Sequence, residues 1–243
     1  MTGDARAQKL VVQRPGRVLI IRGVLNMFSL GLDDLACKLS SRGYRVDVAP
    51  PSMALLAAES IAAECQRDPT VGPLVIIGHS LGGRFCCAIP WRWKEHGLAV
   101  KLVVILDANP LTPVADNVER CVNLYVTNSS GLFHGQDVYA VDPRVDLVNL
   151  DMTKVDRPSG VPGVTHFNID DSAWIHRLVI EEVDRSLKVA SRENGQLRPT
   201  RLHVWDRAPA TRQQSVVTAG LIQPARRDTG RSRRDAGERS EYP

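Results

Sequence analysis

The sequence predicts an α/β protein: a mostly parallel, doubly wound sheet with helices on both faces. Three observations carry this expectation. Short runs rich in Val, Ile and Leu occur at residues 17–22, 74–77 and 101–106, as expected of strands buried on both faces. Between such runs lie stretches with helical spacing, and regular alternation of strand and helix points to parallel crossovers. The chain has 243 residues, 43% of them hydrophobic but only 5% aromatic, so it can bury a sizeable core built mostly from Val, Leu, Ile and Ala.

Taken in order, residues 1–16 form a polar lead-in and 17–22 the first strand. Residues 31–41 place Leu32, Leu35, Ala36 and Leu39 at helical spacing, and Gly43 supplies the stop. Residues 44–49 alternate as a second strand, which Pro50-Pro51 ends. Residues 53–67, rich in Ala, Leu and Glu, make the second helix. Leu74 to Ile77, set off by Gly72-Pro73 and Gly78, make the third strand. A helix follows from 81 to about 95, with Pro90 implying a kink or an early stop. Further strands are expected at 101–106, 120–126 and, more weakly signalled, 145–150. The last helix covers 173–189, with Asp170, Asp171 and Ser172 available as caps. The organised unit is thus 17–189. From 190 to 243 arginine recurs with little periodicity, and this stretch reads as a mostly disordered, solvated tail.

Charge and cysteine content narrow the classes. A net charge of +4, concentrated in the tail, does not argue for nucleic acid. Five scattered cysteines without C-x-x-C spacing fit reduced thiols better than a disulfide framework or a zinc site. No apolar run is long enough for a membrane helix, and residues 1–9 lack the apolar core of a signal peptide. A cytoplasmic location is the expectation, with oligomeric state left open.

Chemistry concentrates at Gly78-His79-Ser80-Leu81-Gly82, a G-x-S-x-G between strand and helix. In such a nucleophile elbow the serine occupies a strained turn, and the glycines allow strand and helix to approach. The turn lifts the hydroxyl from the sheet and aims the Leu81 N–H at a developing oxyanion. A serine at neutral pH needs a histidine base oriented by a carboxylate, expected in the chain order Ser, acid, His. Among six histidines, His166 has that order and lies in a loop ahead of the last helix; His134 is second, and His79 should point away from the hydroxyl. Asp107, directly after a strand, is the favoured acid over Asp137, with Asp142 and Asp151 behind. Val24 or Leu25, in the loop after the first strand, would supply the second oxyanion N–H.

Gly-His-Ser-Leu-Gly-Gly (78–83), Leu-Asp-Ala-Asn-Pro (106–110) and Thr-His-Phe-Asn-Ile-Asp (165–170) together resemble the α/β-hydrolase superfamily. Within it the chain looks similar to thioesterase-like and small bacterial lipase-like serine hydrolases. The resemblance spans residues 17–188 and implies a minimal α/β-hydrolase fold with Ser80, Asp107 and His166 as nucleophile, acid and base. The implied reaction is cleavage of a small-molecule carboxylic ester or thioester, with no cofactor and no metal. Two features depart from the pattern. Arg-Gly-Val-Leu (22–25) replaces the usual His-Gly, and the interval between Asp107 and Arg120 has no room for a helical lid, which disfavours a triglyceride lipase. A catalytically silent hydrolase fold that binds a small ligand or a partner protein is the alternative.

Overall fold

The computed structural model describes residues 14–24, 31–110, 112–127 and 135–187, together with the backbone of 192–193 and 196–197. Six strands, β1 (Arg17–Ile21), β2 (Arg45–Ala49), β3 (Leu74–His79), β4 (Val100–Leu106), β5 (Val118–Tyr125) and β6 (Asp146–Asp151), form one sheet in the order β2-β1-β3-β4-β5-β6. Every pairing in it is parallel. Among the described residues α1 (Gly31–Ser41), α2 (Ala54–Arg67) and α3 (Leu81–Glu95) follow β1, β2 and β3 as crossovers, and α4 (Ala173–Ser186) follows β6.

Side-chain alternation divides the interior into two layers. Val18 and Ile20 of β1, with Val75 and Ile77 of β3, pack under α1 and α4, where Leu32, Leu35, Leu39, Ile175 and Val179 cover them. Leu19, Ile21 and Ile76 face the other way, against Ala58 and Ile61 of α2 and Cys86, Ile89 and Trp93 of α3. The sheet is therefore covered on both faces, as its continuous apolar strands require. All five cysteines are free thiols, and four of them are buried. Burial pushes Cys87 up to about 12 and raises Cys86 and Cys121, which makes them packing groups.

Two expectations are modified. Pro90 does not stop α3, which runs on to Glu95. Its last turn is held by tertiary contacts: Trp93 is fully buried and donates from Nε1 to the Ala58 carbonyl at 2.9 Å. Asn117 also donates to the carbonyls of Pro90 and Leu98, both at 2.9 Å. At α4, Ser172 is the cap, accepting from Ile175 N at 3.5 Å, whereas Asp170 is buried beneath the helix. The end of the lead-in is tied to the domain, since Arg14 bonds the Gly43 carbonyl and the buried Asp184. Within the stretch read as a tail, 192–193 and 196–197 pair as a short antiparallel ladder (β7 and β8); the rest of 190–243 lies outside the described residues. Among the described residues, no helix is long and apolar enough to cross a membrane.

Candidate active site

The chain leaves β1 to one side to form β2, then crosses back over β1 to form β3. The crevice beyond the carboxyl ends of β1 and β3 lies at this reversal, where parallel α/β sheets bind ligands. Register levels the elements there. Ile21 pairs with Gly78, so Gly23–Val24 and Ser80–Leu81 stand at similar height. His79 pairs with Leu106, so Ser80 and Asp107 emerge side by side.

Ser80 sits between β3 and α3 with φ 54° and ψ −120°. Among the described residues, Ser80 and Asp107 (φ 42°) are the only non-glycine residues with positive φ. Such backbone costs about 1–3 kcal/mol per residue and persists where surrounding structure enforces it. The enforcement is visible. Ser80 N donates to the Leu106 carbonyl at 3.0 Å, and Asp107 N to the Leu124 carbonyl at 2.7 Å, so the neighbouring strands hold both turns. The glycines explain the rest of the elbow. A Cβ on Gly78 would lie 2.6 Å from the Gly82 carbonyl, and one on Gly82 only 2.2 Å from the Ile21 carbonyl oxygen. Strand, elbow and helix therefore meet backbone to backbone. The amino end of α3, at Leu81, directs its N–H groups and the positive end of its dipole into the crevice.

Asp107 is 1% exposed and fully engaged. Its Oδ1 accepts from Val126 N at 2.9 Å and Gly135 N at 2.8 Å, and its Oδ2 meets His166 Nδ1 at 2.7 Å. Two backbone donors thus fix the carboxylate, and the carboxylate fixes the imidazole with its Nε2 directed away from Asp107. The donating segment is itself anchored. The buried Asn123 donates to the Gln136 carbonyl at 2.8 Å and to Asn149 Oδ1 at 2.8 Å. Asn149 in turn bonds both backbone groups of Val138. A Cβ on Gly135 would lie 2.5 Å from Asp107 Oδ1, so only glycine admits the N–H so close to the carboxylate.

His166 lies in residues 152–172, between β6 and α4, a stretch of turns without strand or helix. A local turn shapes it: Thr165 N donates to Asn168 Oδ1 at 2.7 Å. The α4 anchor that follows is secured by two buried carboxylates. Glu182 pairs with Arg120 at 2.7 Å, and Asp184 accepts from Tyr44 Oη at 2.6 Å and from Arg14 at 2.8 Å. Phe167 projects outward, 60% exposed, edge-on to the His166 ring with centroids 5.4 Å apart. Val24 is 51% exposed at the rim.

The structure thus brings Asp107 to His166, with Ser80 in register beside Asp107. The other candidates lie in different settings. Asp137 bonds the Tyr125 hydroxyl, Asp142 pairs with Arg144, and Asp151 binds Thr127, Thr153 and Lys154. Leu25 and His134 lie outside the described residues. The sequence offered no sign of the Val126 and Gly135 donors, because a backbone N–H has no residue signature. The described residues between β4 and β5 contain no helix.

An all-parallel sheet wound in this order, with a strained serine between strand and helix, has the architecture of the α/β-hydrolase fold. No family model and no curated protein sequence matches the chain. Solved structures similar to it include human thioesterase 2, with 11% identity and a TM-score of 0.45 over 73% of this chain and 99% of that one. The NocB thioesterase domain, solved as a covalent complex with a fluorophosphonate nocardicin G analog, is 13% identical with a TM-score of 0.45, over 73% and 96% of the two chains.

Proposed function

We propose that residues 17–189 form a serine hydrolase that cleaves a small carboxylic ester or thioester through an acyl-enzyme on Ser80. The observation that carries this reading is the convergence of Asp107 and His166 at 2.7 Å beside the only strained serine among the described residues. His166 Nε2 takes the Ser80 proton as the hydroxyl oxygen attacks the acyl carbon. Asp107 keeps the other nitrogen protonated and stabilises the imidazolium that forms. The N–H of Leu81, with that of Val24 or Leu25, receives the negative oxygen of the tetrahedral intermediate. His166 then protonates the departing alcohol or thiol. Water, deprotonated by the same nitrogen, releases the carboxylic acid and restores Ser80. None of these steps calls on a cofactor.

Ser80→Ala tests the reading directly. It should abolish turnover of short p-nitrophenyl esters and labelling by a fluorophosphonate, with the circular dichroism spectrum unchanged. Retained turnover would sink the assignment.

A further inference from the structure

Behind the elbow lies a second histidine–carboxyl pair that the reaction above does not use. His79 ends β3 and, alternating with Val75 and Ile77, projects to the face covered by α1 and α4. It is 3% exposed, and its Nε2 donates to the main-chain carbonyl of His166 at 2.9 Å. A carbonyl only accepts, so this bond assigns the proton to Nε2 and leaves Nδ1 as an acceptor. Nδ1 stands 3.9 Å from Asp170 Oδ1. Asp170 is 1% exposed, and neither of its carboxyl oxygens has a hydrogen bond. A buried polar group in that state calls for an explanation.

The surroundings hold the pair in place. The Asp170 carbonyl accepts from His176 Nε2 of α4 at 2.6 Å. Gly31, the first residue of α1, approaches so closely that a Cβ there would lie 2.2 Å from the same carbonyl oxygen. Burial drives both members toward their neutral forms, Asp170 up to about 6 and His79 down to about 4. His79 is a neutral ring with its proton on Nε2, so the 3.9 Å contact is not a salt bridge, and a proton taken up by Asp170 on acidification would complement the Nδ1 acceptor.

The consequence concerns His166. Its ring is held by Asp107, and its main chain belongs to a segment without helix or strand. The elbow residue next to Ser80 bonds that main chain directly, at the His166 carbonyl. We infer that His79, backed by Asp170, is a positioning residue that ties the main chain of His166 to the elbow, so that serine turn and histidine loop hold one relative placement. This inference rests on the reading of His166 as the base.

The test compares parent, His79→Leu and His79→Gln by ester kinetics and by the NMR resonance of the His166 Nδ1 proton. His79→Leu should lower kcat about 10²-fold, the scale of a 1 Å misplacement, with KM changed less than about threefold. His79→Gln, which keeps an N–H donor, should recover at least about tenfold of that loss. The His166 resonance should shift or broaden in the Leu variant and return toward its parental position in the Gln variant. Parental kcat and an unmoved resonance in His79→Leu would overturn the inference. A parent without esterase activity would instead defeat the proposed reaction, and the resonance alone would then decide whether His79 positions His166. Should His79→Leu fail to fold, Asp170→Asn and Asp170→Leu decide in its place. The Asn amide can donate to Nδ1, so it should keep about tenfold more kcat than Leu; equal values overturn the inference.

Discussion

Replacing Gly82 by alanine probes the contact on which the elbow is built. Gly82 is the second residue of α3, and its added Cβ would meet the carbonyl oxygens of Ile21 at 2.2 Å and Arg22 at 2.5 Å. Both atoms are backbone at the end of β1, so no side chain can swing aside. Non-bonded atoms settle near 3.5 Å, so helix and strand must separate by about 1 Å. Alanine in a helix gains up to about 1 kcal/mol over glycine, and overpacking costs about 1–3 kcal/mol. The net expectation is a loss of about 1–2 kcal/mol, read as a lower urea midpoint at constant m. The same displacement widens the gap between the Leu81 N–H and the loop after β1, so kcat should fall about 10²-fold. A variant with the parental midpoint would show that α3 can drift from β1 without cost, and the close-approach reasoning would be wrong.

Two further perturbations separate the roles of the buried carboxyls. Asp107→Asn preserves shape but presents an N–H to His166 Nδ1, which forces the wrong tautomer. It should lower kcat by about 10⁴-fold, and an equal loss in Asp137→Asn, with Asp107→Asn active, would move the role to Asp137. Asp170→Asn should make stability more sensitive to acid. As pH falls from 6.5 toward 4, the unfolded chain protonates His79 while the folded chain, with His79 held down near 4, does not, so stability drops. In the parent, Asp170, held up near 6, takes its proton in the folded state first, which opposes that drop. Without this offset the variant should lose roughly 2 kcal/mol between pH 6.5 and 5, and the parent less than half as much. Equal losses in urea midpoints at the two pH values would refute the coupling.

Local pattern made most elements legible. The helical spacing of Leu32, Leu35, Ala36 and Leu39, stopped by Gly43, matches α1, and the apolar runs match β1, β3 and β4 within a residue or two. Pro90 shows where local reasoning falls short. Its missing N–H predicts a break, but burial of Trp93 and the Asn117 bonds outweigh that loss. Asp170 shows the same for side chains, since its position before a helix suggests a cap while tertiary packing puts it under the helix.

Sequence alone determined the α/β alternation and the strand–serine–helix turn, because propensity, periodicity and glycine placement act over a few residues. It also confined the candidate acids and bases to a short set in a given order. Tertiary structure decided which of them meet. The His166–Asp107 contact spans 59 residues and the His79–His166 contact 87. Both depend on strand order and register, which put the ends of β3 and β4 at one height and fold the segment before α4 over them. Those are properties of crossovers and packed layers, which no local pattern encodes.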